Sequence, residues 1–349
     1  MLTRSKRNKI APISIFFMLY ISRIVVSLTC IQHVTAGDMA SDVAISSVMA
    51  MLLNLLLTIP AMLCCERNKN PFEVKWVKWF YVIYFIFLAG VNVSRFSYFA
   101  SSVINPEASA WIFSLLIAVC VAYASQLGLE GLSRFSAFAF ILIVITILFG
   151  LMFNLKNYQD INLFPVIVND KKTIFENVLY MTSSSTEVPI LLCLKKKVNG
   201  SPVKPYALSV VCAFFTTFLM LLFINATMGD AGQLNDFPVY TLFQMAKIGL
   251  FERLDAFLIS LWIFGIFIKA VLLIFCASSS VKGSKTNVKC IGFTTISLLI
   301  AIAFTELMST GNSPIWIYLI PYAISCVLIP LGVLIFKKRN LGDELLESF

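Results

Sequence analysis

The chain has 349 residues, 59% of them hydrophobic and only 13% charged, with a mean hydropathy of +0.88. Soluble domains carry about 25% charged residues, so this composition excludes a soluble globular protein and fits an integral membrane protein. The net charge of +9 would suit a nucleic-acid partner, but Lys and Arg fall in short clusters between apolar runs. That is the arrangement of a topology signal, and it excludes nucleic acid.

The apolar segments number ten. The first, Ala11–Val34, follows Arg4, Lys6, Arg7 and Lys9. It is longer than a signal-peptide core and contains Arg23, so it reads as an uncleaved first helix. Next come Ser41–Leu63, Trp79–Ala100, the short Ala108–Ala124, and Phe135–Phe153. The sixth, Thr173–Leu194, has roughly 22 residues and would rise about 33 Å as a helix, close to the hydrocarbon thickness. Ala207–Met228, Leu254–Cys276, Cys290–Met308 and Ile315–Phe336 complete the set. The connections are brief and polar, so residues 1–349 form one polytopic membrane domain.

With both termini placed in the cytoplasm, 19 basic residues fall on that side. Five fall on the other (Lys156, Lys171, Lys172, Lys247 and Arg253), and Arg23, Arg95 and Lys269 lie within spans. This bias sets the orientation. Five spans per half make the second half inverted relative to the first, with repeat one at about 11–155 and repeat two at about 173–337. Inverted repeats are a common transporter design, with the ligand near the midplane on broken helices at matching positions. On the outer side, Val239, Leu242, Phe243, Ala246 and Leu250 recur at helical spacing within Phe237–Phe251. This predicts a helix over the bundle mouth, either a gate or a plain connector.

Spans one and six are the matching pair. Span six carries Tyr180-Met181-Thr182-Ser183-Ser184-Ser185-Thr186-Glu187-Val188-Pro189 at mid-membrane. Such a break is tolerated only against protein or a polar cavity, and an intramembrane acid is a functional candidate. Span one holds Ser22-Arg23, then Ser27 and Thr29, and is expected to break as well. The candidate ligand residues are therefore Glu187, Ser184, Ser185, Thr186, Arg23 and Ser22, with Arg95 of span three in addition. Glu187 and Arg23 either pair with each other or receive a zwitterion between them. Arg95 is placed towards the outer end of span three and Lys269 towards the inner end of span eight, where either can snorkel, and Glu306 near the outer end of span nine, where it can reach water. Pro189, Pro321 and Pro330 predict kinks.

Nine cysteines contain no CxxC pair and read as buried small hydrophobes. Cys64-Cys65, at a membrane edge, is either packed or lipidated. The single histidine, His33, excludes a multi-histidine metal site, and no cofactor or metal is expected. No nucleophile elbow, GxxxxGK[ST] loop or HExxH occurs, so no enzyme is expected.

The segment Phe251-Glu252-Arg253-Leu254-Asp255-Ala256-Phe257, with Trp262 beyond it, resembles the "FER-x-(E/D)-x-F…W" segment of the endospore germination permease family, the B subunits of spore germinant receptors. Leu129-Glu130-Gly131-Leu132-Ser133-Arg134-Phe135 resembles that family's lead-in to span five. The ten-span layout and the acid ahead of Lys195-Lys196-Lys197 agree, so the resemblance covers nearly the whole chain. It implies an all-α, LeuT-like fold of the amino acid–polyamine–organocation superfamily, with broken first and sixth helices. The pocket it implies lies among spans one, three, six, eight and ten. It further implies a small-molecule germinant, A and C partner subunits and the inner spore membrane. The chain departs from the family where glycines are usual, with Ile21-Ser22-Arg23-Ile24 in span one and Ser183-Ser184-Ser185-Thr186 in span six. Arg23 then points to an anionic or carboxylate-bearing germinant. A proton-coupled amino acid or polyamine permease is the alternative, and a structural subunit with a vestigial site is a third.

Overall fold

The structure is a computed structural model and describes residues 9–35, 40–164, 167, 169–232, 235, 237–246, 255–281, 286–309 and 316–336. Among these residues it is all helix, apart from one parallel bridge between Ile10 and Val198. In chain order the helices are α1 (Pro12–Thr35), α2 (Ala40–Glu66), α3 (Lys75–Phe99), α4 (Ala110–Leu127) and α5 (Leu129–Asn154). Then come α6 (Lys171–Ser183), α7 (Glu187–Leu194), α8 (Val203–Met228) and the short α9 (Pro238–Met245). The last are α10 (Asp255–Ser280), α11 (Thr286–Ser309), α12 (Trp316–Tyr322) and α13 (Ile329–Phe336). Two π-helical turns occur, Ala100–Ile104 continuing α3 and Ala323–Leu328 joining α12 to α13.

Eight of these segments are long and apolar enough to cross a membrane. Their burial sorts them into inner and outer positions. The most apolar stretches of α3 and α10 are each 67% buried, against 28% for α4 and α11. The outer helices turn Leu116, Val119, Leu148 and Leu299 outward, as lipid-facing surfaces should. Around the centre, α3 packs on α10 and α11, α1 on α8, α5 and α10, and α2 on α8 and α6.

Loops expected on the same side do meet. Ile10 N–H donates to the Lys197 carbonyl at 3.0 Å, Lys195 to the Asn68 side chain, Lys196 to Glu73 at 3.1 Å and Lys69 to the Leu334 carbonyl at 2.6 Å. On the opposite face the buried Asp42 carboxylate accepts N–H bonds from Ile167 and Asn169, each at 2.7 Å. There Asn154 Nδ2 donates to the Leu242 carbonyl at 2.8 Å, tying α9 to α5. Val239, Leu242, Phe243 and Ala246 are buried as their spacing predicts, whereas Leu250 and Lys247 lie outside the described residues.

Two expectations are corrected. α1 runs without interruption through Ser22 and Arg23, so the first helix is not broken. Neither residue type breaks a helix, and no Gly or Pro lies in Ile13–Thr35 to open one. Lys269 is not near the end of its span, because the helix extends through Cys276-Ala277-Ser278-Ser279-Ser280 and leaves Lys269 near the middle of Asp255–Ser280. Cys64 and Cys65 are both buried, which is packing. The Phe251–Leu254 part of the sequence motif, Lys282, Lys285, Lys337–Arg339 and the side chains of His33 and Thr29 lie outside the described residues.

Candidate ligand site at the helix break

The sixth apolar segment is interrupted where expected. α6 ends at Ser183, and the chain passes through Ser184 and Thr186, with φ/ψ of −71°/−7° and −104°/13°, before α7 starts at Glu187. Two local causes act together. Ser183 and Ser184 hydroxyls donate back to the Tyr180 and Met181 carbonyls at 3.0 and 2.8 Å, competing with the helical ladder. Pro189 has no N–H, and its ring conflicts with helical geometry upstream. As the third residue of α7 it loses nothing, since the first N–H groups of a helix lack intrahelical partners.

Glu187 therefore stands at the positive end of α7, where a carboxylate is favoured. It is buried and held from three sides. Ser22 Oγ donates to Oε1 at 3.1 Å, Arg23 to Oε2 at 3.2 Å, and Lys269 Nζ to Oε1 at 3.4 Å. Lys269, wholly buried, also donates to the Ser22 backbone carbonyl at 3.0 Å. Arg23 lies over the Phe214 ring at 4.0 Å, and its Nε has no hydrogen-bond partner. One carboxylate thus ties α1, α7 and α10 together. The chain approaches closely enough because Gly265, one turn before Lys269, leaves room for Val25 of α1.

Beside this node is a narrow cavity lined by residues of α1, α3, α6, α10, α12 and the break itself, including Asn92, Arg95, Ser184, Thr186, Lys269 and Tyr318. Its free space, about 20 Å³, holds roughly one water molecule. Arg95 is 8% exposed and lies over the Tyr318 ring at 4.8 Å, so it is a buried cation and does not snorkel to water. The hydroxyls of Thr182, Ser185 and Thr186 are buried without partners, which is costly unless something else satisfies them.

The structure thus separates the sequence candidates. Ser22, Arg23 and Glu187 meet in one ion-paired cluster, whereas Arg95, Ser184 and Thr186 line the adjoining cavity. Ser185 belongs to the break, its carbonyl 3.9 Å from Cys326 Sγ. Lys269 belongs to both groups and was undervalued in the sequence. An ionisable residue at the centre of a long apolar run is the signal that finds it, once the span is drawn to Ser280. Glu306 is exposed.

The sequence pattern of a family described as "Spore germination protein" matches residues 9–314. The chain belongs to that family. In fold it is similar to a solved protein titled "Substrate-bound outward-open state of a Na+-coupled sialic acid symporter reveals a novel Na+-site", at 11% identity and a TM-score of 0.61, covering 95% of this chain and 92% of that one. Among curated proteins, none matches this chain. The likeness to the symporter is one of fold.

Proposed function

We propose that this protein is the small-molecule-sensing B subunit of a spore germinant receptor. The ligand enters the cavity beside the α6–α7 break. Its affinity for one arrangement of the bundle over another is the energy that drives the response, and A and C subunits read the shift. The observation that carries this reading is a buried ionic node at a helix break, adjoining a cavity with room for only about one water. A ligand larger than that must move one of the elements that wall the cavity to enter, so binding and rearrangement are one event.

Ten spans in five-plus-five inverted repeats, both ends cytoplasmic and the inner spore membrane complete the proposal. Mated contacts support the repeat. α1 packs on α8 as α6 packs on α2, α1 on α5 as α6 on α12, and α3 on α11 as α10 on α4. In this arrangement α1 and the α6–α7 pair are equivalent spans.

Deletion in a spore-forming host, followed by complementation and a panel of germinants, tests the proposal. Loss of response to at least one germinant, restored by the wild-type chain and not by Glu187→Gln, is the expected result. An unchanged response to every germinant after deletion of this gene and its paralogues would overturn it. The transporter-like fold favours a second reading, a proton-coupled permease. Net uptake of labelled ligand into vesicles would select that reading, since a sensor binds without flux.

A further inference from the structure

The charge balance at the break bears on the ligand's chemical class, a step that rests on the ligand site proposed above. Three buried cations, Arg23, Lys269 and Arg95, surround the break, and Glu187 is the acid they share it with. Both Glu187 oxygens are engaged, Oε1 by Ser22 and Lys269 and Oε2 by Arg23. Glu187 is not among the residues that line the cavity, and the two cations held against its carboxylate oppose an approaching ammonium. Among the described residues, the cavity lining includes no Asp or Glu.

A carboxylate meets the opposite situation. Lys269 and Arg95 both line the cavity, and a guanidinium with five N–H donors can take a carboxylate in addition to its other contacts. Thr186 adds a buried hydroxyl that has no partner. Burying cations in a low-dielectric interior is costly, and an entering anion offsets part of that cost. Tyr84, Phe87 and Tyr318 supply aromatic walls for an apolar body. We infer that the ligand is a small organic monoanion whose carboxylate sits between Lys269 and Arg95, and that an amine is not required for recognition.

The test uses the full chain in lipid nanodiscs and three matched probe series. These are monocarboxylates from acetate to 3-phenylpropionate, the corresponding amines, and amino acids from glycine to phenylalanine. Binding is read by equilibrium titration alongside thermal shift. At least one carboxylate should bind, its amine counterpart should not, and adding an α-amino group should give no gain. Arg95→Gln should weaken carboxylate binding about tenfold or more, with partial recovery in Arg95→Lys. Thr186→Val, which removes an unpartnered hydroxyl, should weaken binding severalfold without lowering the melting temperature. Amines binding as well as acids, or undiminished carboxylate binding by both variants, would overturn the inference and leave the ligand site standing. If no probe of any series binds, the ligand site itself falls and the inference with it.

Discussion

α1 and the α6–α7 pair both place polar residues at mid-membrane, yet one is continuous and the other is interrupted. The difference is local chemistry. Ser22-Arg23 sits among helix-compatible residues, whereas the hydroxyl run from Thr182 to Thr186 is followed by Pro189. The intact helix supplies side chains, Ser22 Oγ and the Arg23 guanidinium, and the broken one supplies the carboxylate they bind. A break therefore needs no glycine to become a polar centre. What it needs is a rigid neighbour whose charges are already aimed at it, and α1 and α10 provide that.

The largest effect on this arrangement should come from Glu187→Ala. It leaves Arg23 and Lys269 buried with no acid between them, and breaking such a pair costs about 3–5 kcal/mol. Thermal unfolding in nanodiscs measures it, and a loss within error of zero would mean the node is not holding the two regions together. Gly265→Ala should come next. A methyl there overlaps Val25 and must push α1 from α10, costing about 1–3 kcal/mol as an overpacked contact. The expected signature is a lowered melting temperature with a weakened ligand response. A neutral Gly265→Ala would show that α1 has slack against α10.

Thr186→Val should have the smallest effect on stability. Its hydroxyl is buried and unpartnered, so an isosteric apolar replacement is expected to be neutral or slightly stabilising in the absence of ligand. A marked fall in melting temperature would show that the hydroxyl already holds a structural bond. In that case the break would be a finished structural element.

Much of this was legible in the sequence. The apolar runs located the eight helices long and apolar enough to cross a membrane, and the hydroxyl–acid–proline string located the interruption, each to within a few residues. The pairing of Arg23 with Glu187 was one of two arrangements the sequence left open, the other being a zwitterion held between them. The state of α1 did not follow, because expecting a break there relied on symmetry, and symmetry does not weaken a helix whose residues favour it. Lys269 was misplaced because its span was drawn to end at Cys276. Small residues such as Ala277 and Ser278 can continue a helix inside a bundle, since close packing needs little side-chain volume there. That the cavity is lined by Lys269 and Arg95, with Glu187 outside its lining, depends on packing between distant helices. No local pattern encodes that.

The central claim is that Glu187 is one acid shared by two buried cations from intact helices. It is tested most directly by a double-mutant cycle of Glu187→Gln and Lys269→Met, read as melting temperature in nanodiscs. The account predicts strong coupling. Each single change lowers the melting temperature, and the double variant recovers roughly half or more of the loss caused by Glu187→Gln, because Lys269 is then no longer stranded. Simple additivity of the two changes would contradict it.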